Sequence, residues 1–98
     1  TIVYQDEKVI AFKDINPLAP VHILIIPKQH MESLLDINSD NSSIVAHIFE
    51  KIAVIAENAG VEKNGFRVIS NVGEDGGQAV KHLHFHILGG RKLETSLG

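Results

Sequence analysis

The stretch KHLHFHILGG, residues 81–90, alternates three histidines with large apolar residues. In a β-strand, side chains two positions apart point to the same face and lie about 6.6 Å from one another. His82, His84 and His86 are therefore predicted to share one face of a final strand that covers AVKHLHFHIL, residues 79–88. The apolar residues between the histidines point the other way and are predicted to enter the core.

The rest of the chain surrounds this strand with short β-rich runs and one long helix. Four further strands are predicted at residues 2–4, 9–12, 21–27 and 66–71. Apolar residues at three-to-four spacing predict a helix from residue 40 to about 58, with Ser39 or Asp40 as N-cap and Gly60 after its end. A short helical turn is expected near residues 31–35. This pattern indicates an α+β fold with a largely antiparallel sheet.

Composition limits the classes of protein to which the chain can belong. At 98 residues it fits one domain, and 44% hydrophobic with 21% charged residues is ordinary for a globular protein. The net charge of −3 argues against a nucleic acid polymer as ligand but allows a small nucleotide. Without cysteine, the residues given offer no disulfide and no thiolate metal site. The longest apolar run is too short for a bilayer and no signal peptide is visible, so a cytoplasmic protein is expected.

Three interpretations of the aligned histidines differ in their chemistry. The simplest is a polar row that faces solvent. A second is a zinc site, since three histidines with an open fourth position form a catalytic zinc centre. A third is nucleophilic and acid–base chemistry at phosphorus, in which one neutral imidazole attacks while a neighbour donates a hydrogen bond. The glycine-rich loop VGEDGGQ, residues 72–78, favours the third because backbone N–H groups in such loops hold phosphate.

Residues 82–88 also fit the pattern His-Φ-His-Φ-His-Φ-Φ, where Φ is apolar, and the chain thereby resembles the histidine triad (HIT) superfamily. AFKDINPLAPVHILIIPKQH, residues 11–30, and GGQAVKHLHFHILGGR, residues 76–91, resemble its bacterial histidine triad nucleotide-binding branch. The resemblance implies a single HIT domain over residues 1–98, with a five-stranded antiparallel sheet, one long helix and a short one. It also implies a homodimer whose sheets join into ten strands, and no cofactor.

The same resemblance implies a hydrolase that binds purine nucleoside monophosphates such as AMP or GMP and cleaves nucleoside 5′-phosphoramidates or aminoacyl adenylates. His84 matches the nucleophile that forms a nucleotidyl-histidine intermediate, and His86 matches the residue that contacts the phosphate. His82 and His22 match the network that orients these imidazoles. The implied nucleotide-binding residues are Asp14 for the ribose, Phe12 and Ile15 for the base, and Asn71, Gly77, Gln78 and Ala79 for the phosphate side.

Two departures from the family pattern bear on turnover. Ala79 stands where many relatives have serine or threonine, so a hydroxyl near the phosphate is missing. Relatives also carry a segment ahead of the position of Thr1 that contributes to the base pocket, and cysteines in that segment could join a zinc site in some of them. The missing hydroxyl leaves a nucleotide-binding module with little turnover as an alternative. A dinucleoside polyphosphate hydrolase and a three-histidine zinc hydrolase are kept as further alternatives. His30 and His47 are interpreted as surface or helix-face residues.

Overall fold

The computed structural model describes residues 1–95, which form one five-stranded sheet and two helical segments. The strands are β1 (Ile2–Gln5), β2 (Val9–Lys13), β3 (Val21–Pro27), β4 (Phe66–Ile69) and β5 (Phe85–Gly89). Helix α1 (Ser42–Asn58) lies between β3 and β4 in the chain, and a 3-10 turn (Leu34–Asp36) precedes it. The predicted α+β class is confirmed. The last three residues of the domain predicted over 1–98 lie outside the described residues.

Neighbouring strands of the sheet all run antiparallel, in the order β1-β2-β3-β5-β4. The register places Phe12 opposite Leu24, and His86 opposite both Leu24 and Ile69. Because paired residues point to the same face, these four side chains form a row across four strands. The sheet itself therefore positions His86 between apolar neighbours.

Helix α1 covers the other face of the sheet. Its stripe of Ile48, Ile52 and Ile55 is at most 5% exposed and packs against the inward-facing residues of the strands. Leu83, Phe85 and Ile87 belong to the same core, which confirms the predicted alternation with the histidines. Burying one large aliphatic side chain stabilises a fold by about 1.5–3 kcal/mol, so this layer holds the sheet together. Within residues 1–95, no helix combines the length and hydrophobicity needed to cross a membrane.

The ends of α1 agree only partly with the sequence pattern. The helix begins two residues after the predicted start, and Asn41 is its N-cap in place of Ser39 or Asp40. The predicted cap was wrong because a turn closed by the hydrogen bond from the N–H of Asn41 to the carbonyl of Asn38 precedes the helix. The predicted end is confirmed, since the helix ends at Asn58 and Gly60 adopts the left-handed conformation at φ +77°.

The final strand is shorter than predicted. It begins at Phe85 and not near Ala79, so the first two triad histidines precede it. The N–H of Leu83 donates to the carbonyl of Met31 at 2.6 Å, outside the sheet. The side chains still alternate, with Leu83 fully buried, although the ladder has ended. A sequence pattern detects the alternation but not the loss of pairing, which explains the wrong start.

Candidate active site

A cavity of about 660 Å³ lies on the face of the sheet that α1 leaves uncovered. Its floor is the row of side chains that crosses the strands. Its walls come from the loop after β2 and the loop between β4 and β5. His82, His84 and His86 all line it, together with Asp14 and Asn71. The triad and five of the seven predicted nucleotide-binding residues are therefore brought to one place: Phe12, Asp14, Asn71, Gly77 and Ala79.

Two hydrogen bonds fix His84, one at its ring and one at its carbonyl. Its Nδ1 lies 2.7 Å from the carbonyl oxygen of His82, and the Ser70 hydroxyl donates to the carbonyl oxygen of His84 at 2.7 Å. A carbonyl oxygen can only accept, so Nδ1 of His84 carries the proton. In the neutral ring the lone pair is then on Nε2, and a neutral nitrogen with a free lone pair is what a nucleophilic imidazole requires.

A second chain of hydrogen bonds fixes the tautomers of His22 and His86. The N–H of Leu18 donates to Nδ1 of His22 at 3.1 Å, so a neutral His22 carries its proton on Nε2. That nitrogen lies 2.9 Å from Nδ1 of His86, which must accept and leaves the His86 proton on Nε2. Nε2 therefore has a lone pair in His84 and an N–H in His86. The centroids of the two rings are 5.1 Å apart.

The charge state of His86 follows from its surroundings. Burial lowers the pKa of His86 below its ordinary value of 6.5, and the neighbouring His84 and His22 rings lower it further. Asp14 acts in the opposite direction, and its carboxylate lies 3.5 Å from Nε2 of His22. Near neutral pH, His86 is therefore uncharged and can accept at Nδ1 while it donates from Nε2.

His82 belongs to a different hydrogen-bond chain. Its Nε2 lies 2.9 Å from the carbonyl oxygen of Pro27, and its Nδ1 lies 3.0 Å from Nδ1 of His30. The orienting network implied for His82 and His22 is thus divided, because His22 contacts His86 whereas His82 contacts His30. His30 is exposed, as interpreted from the sequence, yet it is hydrogen-bonded to the triad.

The three residues implied for the ribose and the base are placed differently. Asp14 and Phe12 line the cavity, and Asp14 also accepts a hydrogen bond from the N–H of Asn16 at 2.8 Å. Leu24 continues the apolar floor beside Phe12. Ile15 does not line the cavity and is 90% exposed. The structure therefore places a carboxylate and an apolar floor beside the triad, but not the second wall that the resemblance implied.

The loop between β4 and β5 uses much of its hydrogen-bonding capacity internally. The N–H groups of Gly77 and Gln78 donate to the carbonyls of Glu74 and Gly73 at 3.0 Å, and the Gln78 side chain accepts from the N–H of Gly73. Gly77 lines the cavity but Gln78 does not. In this conformation neither N–H is free for a phosphate. Ala79 lines the cavity, and within residues 1–95 its N–H makes no hydrogen bond, so it is available to a ligand.

Glycine is required at one position of this loop. A Cβ atom at Gly76 would lie 2.2 Å from the carbonyl oxygen of Val72, far inside contact distance. The carbonyl of Gly76 accepts from the side-chain amide of Asn71 at 2.7 Å. The tight turn therefore holds the cavity-lining Asn71 in place, which gives the glycine cluster a structural role.

Asp14, His22 and His86 form the one group of metal-capable side chains found within residues 1–95, with ligand atoms within 4.8 Å of one another. The three triad histidines do not form such a group. Nε2 of His22 carries a proton while Nδ1 accepts from the N–H of Leu18, and a metal ligand needs a free lone pair at that atom. A metal ion bound here would have to displace that proton and the hydrogen bond from His22 to His86.

Sequence reasoning missed Leu18, Pro27, His30 and Ser70. Leu18 and Pro27 act through backbone atoms, which leave no trace in side-chain patterns. His30 offered a signal, because it lies in the same block as His22, three residues after the proline that ends β3.

The chain matches the HIT domain over residues 1–93. It belongs to the HIT family. The purine nucleoside phosphoramidase of Escherichia coli K12 is 45% identical over 96 residues, which cover 98% of this chain and 81% of that protein. An uncharacterised HIT-like protein of Rickettsia prowazekii is 50% identical over 93 residues, covering 94% and 78%. The resemblance to HIT proteins seen in the sequence is thereby confirmed.

Solved HIT structures share the fold over almost the whole chain. A HIT family hydrolase from Legionella pneumophila superposes with a TM-score of 0.97 at 42% identity, covering 100% of this chain and 88% of that one. A histidine triad protein from Clostridium difficile gives 0.93 at 55% identity, covering 96% and 82%. The HIT fold expected from the sequence is therefore confirmed, and HIT hydrolases are among the chain's structural relatives.

Proposed function

We propose that this HIT protein hydrolyses purine nucleoside 5′-phosphoramidates or aminoacyl adenylates through a nucleotidyl-histidine intermediate. The observation that carries the proposal is the pair of opposite tautomers, with a lone pair on Nε2 of His84 and an N–H on Nε2 of His86. The first atom can attack phosphorus while the second stabilises charge on the phosphate oxygens. The name of the Escherichia coli relative supports this substrate class.

The reaction is proposed to proceed in two displacements at the α-phosphorus. First, Nε2 of His84 forms a bond to phosphorus, the P–N bond to the amine breaks, and the amine leaves with a proton taken from water. The phosphorylated imidazole is a cation, so its Nδ1–H bond to the His82 carbonyl strengthens as charge develops. Water then attacks the same phosphorus, the bond to Nε2 breaks and one proton is released. The nucleoside monophosphate leaves and His84 returns to its neutral form.

His86 is proposed to donate its Nε2–H to a non-bridging phosphate oxygen in both steps. A donor preorganised toward developing charge contributes about 10²–10³-fold to the rate in comparable sites. Its lowered pKa supports this role, because the neutral ring keeps the relay from Leu18 through His22 intact.

The remainder of the cavity is proposed to bind the nucleoside. The Asp14 carboxylate accepts the ribose hydroxyls, and Phe12 and Leu24 contact the purine base. The N–H of Ala79 donates to the phosphate. The cavity volume of about 660 Å³ lies within the range typical of small-molecule sites. AMP or GMP is the expected product of turnover.

We propose that the imidazoles act without a metal ion. A zinc site would need ligand atoms that converge, whereas the three triad histidines do not form a group with ligand atoms within 4.8 Å of one another. Treatment with a chelator is expected to leave the rate unchanged. A rate that disappears with the chelator and returns with zinc would contradict this part of the proposal.

The test of the proposed function is the His84→Ala variant assayed with a fluorogenic adenosine phosphoramidate. Loss of the nucleophile should lower kcat more than about 1,000-fold, while AMP binding measured by calorimetry stays near wild type. Mass spectrometry of quenched wild-type protein should find the nucleotidyl group on His84. Wild-type turnover by the variant would overturn the mechanism.

Two other outcomes would favour the alternatives. A wild-type protein that binds AMP without turnover would favour the nucleotide-binding module. Cleavage of a dinucleoside polyphosphate but not of the phosphoramidate would favour the dinucleoside polyphosphate hydrolase.

We also propose that the protein is a homodimer joined at β4. This strand is the free edge of the sheet next to β5. Phe66 and Val68 on its helix-facing side are 37% and 39% exposed and share an apolar depression with Phe49, which is 53% exposed. A second copy would extend the sheet to ten strands and cover these side chains. Light scattering should give twice the chain mass for the wild type and a monomer mass for Val68→Lys. A monomeric wild type would contradict the proposal.

A further inference from the structure

His30 is an exposed residue in the segment after β3, and none of the chemistry proposed above requires it. Its Nδ1 nevertheless lies 3.0 Å from Nδ1 of His82, with ring centroids 4.9 Å apart. Two imidazole nitrogens at this distance hold one proton between them, so one of them donates and the other accepts.

The carbonyl of Pro27 decides the direction of that hydrogen bond. It lies 2.9 Å from Nε2 of His82 and can only accept, so the proton of a neutral His82 is on Nε2. Nδ1 of His82 is then the acceptor, and Nδ1 of His30 is the donor. The His82 ring is thereby held at both nitrogens, and the carbonyl of the same residue fixes the tautomer of His84.

The residues next to His30 are tied to the approach to β5, so the ring does not stand on a loose loop. Met31 is 4% exposed and belongs to the core, and its carbonyl accepts from the N–H of Leu83 at 2.6 Å. The carbonyl of Glu32 accepts from the side-chain amide of Gln78 at 2.6 Å. These bonds fix the backbone on which His30 presents its Nδ1.

We propose that His30 is a positioning residue for the nucleophile. The Nδ1–H of His30 donates to the His82 ring and fixes its orientation. The fixed ring keeps the backbone of His82 in place, and the carbonyl of His82 accepts from Nδ1–H of His84. The effect on catalysis rests on the function proposed above. Without the donor at position 30, Nδ1 of His82 can accept only from water, and the His82 carbonyl that accepts from His84 becomes more mobile. The correct tautomer of His84 is then less populated and less well aimed at phosphorus.

Three variants separate this role from a general structural one. An asparagine amide can occupy the place of Nδ1, whereas a glutamine amide reaches the place of Nε2. His30→Ala should lower kcat for the phosphoramidate roughly tenfold with KM unchanged within twofold. His30→Asn should restore most of kcat, and His30→Gln should behave as alanine does. Gln29→Ala, an exposed neighbour in the same segment, is the matched control and should keep wild-type kinetics.

Kinetic results that would overturn the proposal are wild-type kcat in His30→Ala, or equal losses in all three variants with no rescue by asparagine. Imidazole ¹⁵N NMR tests it independently of turnover. The wild-type spectrum should show His82 protonated on Nε2, and His30→Ala should lower the fraction of His84 protonated on Nδ1. Wild-type His82 protonated on Nδ1, or unchanged His84 in the variant, would overturn the inference. A wild type without phosphoramidase activity overturns the proposed function instead, and the NMR result still decides the role of His30.

Discussion

The site contains two pairs of imidazoles in contact, and they differ in how the backbone sets their protons. In the buried pair, the N–H of Leu18 makes Nδ1 of His22 an acceptor and sends a proton toward His86. In the exposed pair, the carbonyl of Pro27 makes Nε2 of His82 a donor and draws a proton from His30. A backbone N–H or carbonyl at the end of each pair thus determines which nitrogen donates. Four rings of one chemical type obtain distinct roles from the polarity of their backbone neighbours.

Among variants that keep the nucleophile His84, the largest effect is expected at the buried pair. His22→Ala removes the donor to His86 and leaves the N–H of Leu18 without its acceptor, so kcat should fall about 100-fold. His22→Gln places an amide N–H where Nε2 was and should recover much of the rate, whereas His22→Asn should not. This order is the reverse of that expected at position 30, where asparagine is the rescuing residue. Steady-state kinetics with the phosphoramidate measures both series.

Equal rescue by asparagine and glutamine at position 22 would contradict the tautomer assignment for the buried pair. Thermal melting of each variant provides the control, because His22 is 5% exposed and its replacement also affects packing. Comparing kcat with KM then separates the loss of the donor from a general loss of folded protein.

The pH response of His86 gives the next largest effect. Its folded-state pKa is lowered, so His86 stays neutral at pH values where an ordinary histidine is already protonated. A lowered histidine pKa also means that the fold is favoured above pH 6.5 and loses that contribution as pH falls through the folded pKa. In His22→Gln the neighbour cannot become charged, so the pKa of His86 should rise toward 6.5. NMR titration of His86 measures the shift, and an unchanged or lower pKa would contradict it.

Much of the site could be read from the sequence because it depends on side-chain alternation. The alternation around His84 and the strand that carries His22 follow from residue type and spacing. The start of β5 could not be read in this way. Pairing with β3 ends at Phe85 opposite Ile25, and only the hydrogen bonds of the folded chain reveal that end.

The end of the pairing between β3 and β5 also leaves backbone carbonyls free to bond to the site histidines. Beyond Phe85, the carbonyls of His82 and Pro27 accept from imidazole nitrogens, at His84 and His82 respectively. Backbone atoms leave no mark on residue patterns, so the division of the histidines into two pairs was beyond sequence reasoning. The internal bonding of the glycine-rich loop was missed for the same reason.

A smaller effect is expected at Ala79, which lines the cavity. Ala79→Ser adds the hydroxyl that the family resemblance implies for this position, and one added hydrogen bond to the phosphate or leaving group should raise kcat roughly threefold. Kinetics on the variant and the wild type with the same phosphoramidate measure the change. Ala79→Gly adds no hydroxyl and is the control. A rate for the serine variant at or below that of the wild type would show that the hydroxyl adds nothing here.

A third histidine contact, remote from the cavity, provides a reference for the two pairs. Nε2 of His47 on α1 lies 2.7 Å from the Asp6 carboxylate in the turn before β2. Desolvation opposes ionisation of Asp6, but hydrogen bonds from His47, from the N–H groups of Lys8 and Val9 and from the Tyr4 hydroxyl together hold the pKa of Asp6 well below its usual range. Here the partner is a carboxylate, so the contact stabilises the fold and assigns no catalytic proton.

His47→Ala should therefore lower the free energy of unfolding by about 1 kcal/mol and leave kcat unchanged. Because the pKa of Asp6 is depressed, its contribution is present above the ordinary value of 3.8 and is lost as pH falls below it. Urea unfolding of the variant and the wild type at pH 7 measures the change, and steady-state kinetics measures kcat. A large loss of kcat would place His47 in the catalytic network, against the geometry.

The uncovered face of the sheet determines how the protein should respond to its ligand. Because α1 packs on one side only, Leu24 and Ile26 are no more than partly buried by the protein's own residues. Under the proposed function a bound nucleotide supplies part of a second layer, and ligand at one hundred times its Kd adds about 2.7 kcal/mol to folding stability by mass action. The melting temperature in the presence of AMP therefore measures how much of the site is occupied, even in variants that no longer turn over substrate.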